Sequence, residues 1–222
     1  MFTRVLVAED YEIANQGIIK ILNEQVGIYD IEEAKYCDDA YKKFLKAHTS
    51  QKPIELLITD LSFKQDDTIQ TIISGIDLIK DIRALQPDIK VIVYSQEDRL
   101  DKINMLFDRF NINGYVCKGQ QAVTELIACV NGVYQGNIML PPELTDNAAT
   151  NNIIHLDDLD IILLEELANG FTKKEIRIKL KKQNISPNSE SSIDKRVSNL
   201  FDVFKAKNTT HLVAVVKDLG LL

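Results

Sequence analysis

The chain has 222 residues, of which 45% are hydrophobic and 27% charged, with a formal net charge of -7. That composition is ample for packed cores in one large or two small domains, and it excludes a disordered or fibrous chain. No apolar run approaches a membrane span, MFTRVLVAED leads straight into a strand-like segment, and the three cysteines are widely spaced; the reading is a soluble, cytoplasmic protein with no membrane contact and no disulfide framework.

Through the first part, short apolar stretches alternate with amphipathic ones, a pattern that predicts a doubly wound parallel sheet with helices on both faces. Strands are expected at 4–8, 31–36, 54–59, 90–94 and 114–117. Ile76, Ile79 and Ile82 recur at helical spacing within 75–85, with Pro87 beyond as a stop, and Val123, Ile127 and Val130 mark the last helix. The stretch GNIMLPPELTDNAATNNI then changes texture and reads as a linker over 136–153, leaving a first domain at 1–135 and a second at 154–222. Four helices are expected in the second, near 158–169, 173–182, 189–204 and 210–219. Thr172 and Glu175 are spaced as a capping box, and Thr209 or Thr210 can cap the last helix. Its core would come from Leu163, Leu167, Ile176, Leu180, Ile193, Val197, Leu200, Leu212 and Val216.

Charge divides along the same boundary. Residues 1–152 hold 15 basic and 23 acidic groups, whereas 153–222 hold 11 and 10. Within the second part, residues 173–207 carry ten basic and four acidic groups, an excess that fits a phosphate backbone and equally a solvated helical surface.

Glu9 and Asp10 follow the first strand, Asp60 the third, Ser95 the fourth and Lys118 the fifth. In an open parallel sheet, ligands bind beyond the carboxyl ends of the strands, so these groups should converge. Clustered carboxylates repel one another unless a cation offsets them, and a hard ion such as Mg2+ suits oxygen donors. A hydroxyl and an ammonium on the other side could bind phosphoryl oxygens while Asp60 attacks in line.

VLVAED, LLITD, VIVYS and GYVCK together resemble the receiver domain of two-component response regulators, over roughly residues 1–130. The resemblance implies a five-stranded sheet in the order 2-1-3-4-5. It also implies Glu9 and Asp10 as metal-site acids, Asp60 as phosphoacceptor, the Ser62 backbone carbonyl as a further Mg2+ ligand, Ser95 as switch hydroxyl, Tyr115 as switch aromatic and Lys118 as phosphoryl-binding base. The phosphoryl donor would be a sensor histidine kinase. Three departures stand out. Gly75 lies fifteen residues beyond Asp60, making that loop about seven residues longer than the Asp-Leu-x-Met-Pro pattern of the family; it carries Asp66 and Asp67 and is read as a tolerated surface insertion. Gly119 replaces the usual proline after Lys118, and Gln96 replaces a small residue after Ser95.

The second domain resembles the LuxR-type helix-turn-helix module, through LDDLDIILLEELANGFTKKEIRIKL, SESSIDKRVSNLF and HLVAVVKDLGLL. The order of the two modules is that of the NarL/FixJ class, which implies a phosphorylation-controlled transcription regulator binding double-stranded DNA as a homodimer, and not a turnover enzyme. Lys195 and Arg196 are long enough to reach purine edges or phosphates; Lys173, Lys174, Lys205 and Lys207 are placed for backbone contacts; Thr172 and Ser192 sit at the starts of the support and reading helices. Leu180 to Ser192 spans twelve positions, about six too many, so either the support helix extends or the connection bulges. Asp194 puts an acid on the reading face, which costs affinity unless it accepts from a cytosine amino group or pairs with Lys195. The alternative function is a signalling adaptor whose helical domain binds a protein and not DNA.

Overall fold

The computed structural model describes residues 1–50, 52–64, 70–142, 144 and 156–218. It divides into two compact units, Met1–Asn152 and Ile153–Leu222. The first contains β1 (Arg4–Ala8), α1 (Glu12–Ile21), β2 (Asp30–Ala34), α2 (Cys37–Thr49), β3 (Leu56–Thr59), α3 (Gly75–Leu85), β4 (Lys90–Ser95), α4 (Leu100–Phe110), β5 (Gly114–Cys117) and α5 (Ala122–Tyr134). A π-helical turn, Leu22–Val26, prolongs α1 and ends at Gly27, whose φ of 80° is a left-handed conformation that glycine adopts without steric cost.

All five strands are parallel, in the expected order β2-β1-β3-β4-β5. Central strands buried on both faces need apolar residues throughout, and LLIT of β3 is fully buried. On one face Val5, Val7, Leu56, Ile58 and Ile92 pack with Ile18 of α1 and with Leu126, Cys129, Val130 and Val133 of α5. Their neighbours Leu6, Leu57, Val91 and Val93 are equally buried and, by strand alternation, serve the other face. The register sets Ala8 beside Thr59, Thr59 beside Val93, and Ser95 beside Cys117. Residues just beyond these positions therefore emerge at one rim.

Several boundaries differ from expectation for local reasons. β2 stops at Ala34, the last residue paired with β1, and the chain bends at Lys35 and Tyr36 before α2 begins. β3 starts at Leu56, although Ile54 before it is buried. In α5, Val130 is buried and Ile127 packs against the core as expected, whereas Val123 faces solvent and Leu126 and Cys129 complete the inward stripe. The segment read as a linker begins by packing onto the sheet: Met139 bridges Gly114 beside β5, its carbonyl accepting from the Tyr115 amide at 3.1 Å, and its sulfur fills the space left by Gly132. The first unit thus reaches past Gln135. Most of the remaining linker residues lie outside the described residues.

The second unit holds α6 (Asp158–Ala168), α7 (Lys173–Lys182), α8 (Glu190–Val203) and α9 (Thr209–Asp218). All nine expected core residues are buried, joined by Leu159, Leu164 and Phe204. Asp157 with Asp160, and Thr172 with Glu175, form reciprocal capping boxes, satisfying helix-end amides that would otherwise lack partners. Asn208, and neither Thr209 nor Thr210, caps α9: its side-chain oxygen accepts from the His211 amide at 2.8 Å. Between α7 and α8 the connection bulges rather than extending the helix, because Asn184 adopts a φ of 56° and turns the chain out. Among the described residues, no helix is long and apolar enough to cross a membrane. The C-terminal residues 219–222 lie outside the described residues.

Candidate functional site

Glu9, Asp10, Asp60, Ser95 and Lys118 all line one cleft of about 670 Å³ at the carboxyl rim of the sheet. Glu9, Asp60 and Ser95 are buried, and each acid places an oxygen within 4.8 Å of the others'. Lys118 Nζ spans two of them, 2.7 Å from Glu9 Oε2 and 2.6 Å from Asp60 Oδ2. It also lies 5.4 Å from the centre of the Tyr94 ring. The Lys118–Gly119 bond is trans, and the lysine reaches Asp60 regardless.

Burial pushes the Glu9 carboxyl above its ordinary value, an effect only partly offset by the Lys118 contact and reinforced by the charge of Asp60. For Lys118, burial alone would lower the pKa, yet its bonds to Asp60 and Glu9 outweigh that and the net direction is upward. The buried part of the site thus sets two acids, Glu9 and Asp60, against one ammonium. Three converging carboxylates, two of which share a single ammonium, fit a hard divalent cation.

Backbone amides supply one short contact to each acid. Asp60 Oδ1 accepts from the Leu61 amide at 2.6 Å, Glu9 Oε1 from the Tyr11 amide at 3.1 Å, and Asp10 Oδ2 from the Lys64 amide at 2.7 Å. Ser62 lines the same cleft and forms an antiparallel bridge with Ser74 that closes the long loop. Residues 65–69 of that loop, with Asp66 and Asp67, lie outside the described residues. Its described flanks are not a loose insertion: Asp38 accepts from the amides of Thr71 and Ile72 at 2.8 and 3.0 Å, and Phe63 and Ile72 are buried.

Gly75 explains where the loop must return. A Cβ there would stand 1.8 Å from the Asp60 carbonyl oxygen, a backbone atom unable to yield without moving the site. Gly75→Ala is expected to cost about 3 kcal/mol, as overpacking against an immovable group does, and to displace Asp60. Urea unfolding combined with phosphoryl uptake checks both effects.

Tyr115 is buried, and its hydroxyl donates to the Glu97 carbonyl at 2.6 Å. The Glu97 carboxylate is held down to about 2 by hydrogen bonds from Arg99, against the opposing effect of burial, with further support from Lys102. This cluster was not legible in advance: nothing in the spacing of Glu97, Arg99 and Lys102 distinguishes it from ordinary loop charges.

In the second unit, the expected contact residues separate into two groups. Lys174, Lys195, Lys205 and Lys207 are exposed. Thr172 and Ser192 are used locally, Thr172 on Glu175 and Ser192 on Ser189, whose hydroxyls lie 2.7 Å apart. Lys173 pairs with Asp194, so that acid finds its partner on α7 and not in Lys195. Arg177 meets Glu190 at 2.8 Å, a second tie between α7 and α8. Arg196 has partners within the unit: its guanidinium lies 2.7 Å from Asp157 and 2.8 Å from Asp160, tying α8 to the start of α6. Arg196→Ala should lower the stability of this unit by about 1 kcal/mol, allowing for partial solvent screening. A fall in DNA affinity with no change in thermal midpoint would contradict that role.

The model of the response regulator receiver domain matches residues 5–131, more than half the chain. The chain belongs to the response regulator receiver-domain family. Over their full lengths the likeness is more distant. The oxygen regulatory protein NreC of Staphylococcus carnosus is 26% identical over 193 residues, covering 80% of this chain and 82% of that protein. The response regulator UvrY of Escherichia coli K12 is 22% identical over 217 residues, covering 94% and 92%. Among solved structures, the two-component response regulator RcsB in complex with DNA superposes with a TM-score of 0.63 at 24% identity, covering 98% of each chain. That last likeness concerns the fold, and it spans both units.

Proposed function

We propose that this chain is a phosphorylation-controlled transcription regulator of the NarL/FixJ class, cytoplasmic, accepting a phosphoryl group on Asp60 from a sensor histidine kinase and binding double-stranded DNA as a homodimer. The observation that carries the reading is the convergence of Asp60, Glu9, Asp10, Ser95 and Lys118 on one cleft. Glu9, Asp10 and Asp60, with the Ser62 carbonyl, would hold Mg2+, which when bound screens the oxygens of the incoming phosphoryl group. An Asp60 oxygen forms the new bond to phosphorus as the donor nitrogen leaves with its electron pair. Lys118, at present on Asp60 Oδ2, is within reach of a phosphoryl oxygen on the same carboxylate. The chain itself turns over no substrate.

For the output, Ser95 would be drawn toward the phosphoryl group, displacing β4, the following loop and Tyr115, whose hydroxyl is tied to that loop through Glu97. The printed names and titles of the relatives support the DNA arm, since RcsB was solved on DNA and as dimers bound to two DNAs. Here Lys174, Lys195, Lys205 and Lys207 would bear most of the phosphate contact, while Thr172, Lys173 and Ser192 shape the helix starts.

The test is to incubate the full chain with a small acyl phosphate and Mg2+, then measure added phosphate, oligomer size and retention of duplex DNA at two salt concentrations. One phosphate, a shift in oligomer size and a log-log salt slope of several times about -0.9 are expected. Phosphate uptake without any DNA retention would favour an adaptor acting through a protein partner.

A further inference from the structure

Among the described residues, the long connection after Asp60 reaches the third acid of the cation site, Asp10, through Lys64. The Lys64 amide donates to Asp10 Oδ2 at 2.7 Å, whereas the ammonium of Lys118 is taken up by Glu9 and Asp60. Asp10 therefore depends on the loop for its orientation. The loop is in turn held at both limbs. On the outgoing side Phe63 is buried, and the Lys64 ammonium lies 5.5 Å from the centre of the Tyr11 ring. On the returning side Ile72 is buried and the two oxygens of Asp38, in the first turn of α2, receive the amides of Thr71 and Ile72. The Ser62–Ser74 bridge closes the base.

A carboxylate with one oxygen fixed by an amide keeps its other oxygen aimed. We propose that the segment after Asp60 is a positioning element of the cation site, in which the backbone amide of Lys64, steadied by Asp38, orients the carboxylate of Asp10. This rests on the reading of Glu9, Asp10 and Asp60 as cation ligands. It makes Lys64 and Asp38 determinants of cation affinity although neither is a ligand. What matters at position 64 is the amide hydrogen, which every residue except proline supplies.

Calorimetric titration of Mg2+ into the full chain tests this with three variants. Lys64→Ala keeps the amide and removes the ammonium, and should bind as the parent does. Lys64→Pro removes the amide hydrogen and should weaken binding about tenfold, the lower end of what losing an outer-shell partner costs. Asp38→Ala frees the returning limb, and should weaken binding less while speeding hydrogen exchange at the Lys64 amide. Equal affinity of parent and a folded Lys64→Pro, or a loss in Lys64→Ala as large as that in Lys64→Pro, would overturn the proposal. Should Lys64→Pro fail to fold, faster exchange in Asp38→Ala with unchanged Mg2+ affinity overturns it equally. A parent chain that takes up no Mg2+ would instead remove the cation reading itself, an outcome told apart by the first titration.

Discussion

Asp60→Asn is expected to abolish covalent phosphoryl uptake while leaving stability within about 1 kcal/mol of the parent. The two consequences have separate causes. Uptake needs an anionic oxygen able to bond to phosphorus, and a neutral amide has none. Stability is retained because the amide oxygen can still accept from Leu61, and Lys118 keeps its 2.7 Å contact with Glu9. With one of the acids neutral, the remaining pair is better balanced than before. Intact mass after exposure to an acyl phosphate, beside urea unfolding of the same sample, measures both. Phosphate still arriving on the variant would move the acceptor elsewhere.

Lys118→Met should have the opposite profile and lose stability first. The ammonium is the cation that joins two buried acids, and removing one partner of a buried pair leaves charge uncompensated, at about 3 kcal/mol in chelator at neutral pH. The pH dependence follows from Glu9, whose folded pKa is already raised by burial and would rise further. A carboxyl with a raised folded pKa contributes stability below its unfolded value, near 4.5, and loses it as pH rises through the folded value. The deficit of the variant should therefore be largest at neutral pH and shrink toward pH 4.5. Mg2+ should restore part of it by replacing the missing charge. A variant as stable as the parent in chelator across that range would show that the ammonium is not what holds the acids together.

The sheet and its rim could be read from the sequence because buried parallel strands require unbroken apolar runs, and because a polar residue directly after such a run can emerge only at the carboxyl end. VLVAED and LLITD satisfy both conditions. The second unit's core was legible for a related reason, since Ile193, Val197 and Leu200 repeat at helical spacing. What escaped depends on geometry that spacing does not encode. Arg196 lies on a partly outward position of α8, and only packing brings Asp157 and Asp160 within its reach. The grip of Asp38 on Thr71 and Ile72 joins residues over thirty positions apart through backbone amides, which carry no side-chain signature. Gly75 was seen as a landmark after Asp60, but its necessity comes from a carbonyl that only the folded loop brings against it.

The pairing of Met139 with Gly114 has a bearing on how the chain behaves in a crowded solution. An outermost strand offers unpaired amides and carbonyls to any other chain, and is where open sheets begin to aggregate. Along β5, part of that exposed ladder is already taken by the chain's own following segment. At the opposite margin, β2 carries Asp30, Glu32 and Glu33, so a second copy approaching edge-on meets like charge. Both margins of the sheet are thereby discouraged from growing, which leaves helical surfaces as the natural place for two copies to meet.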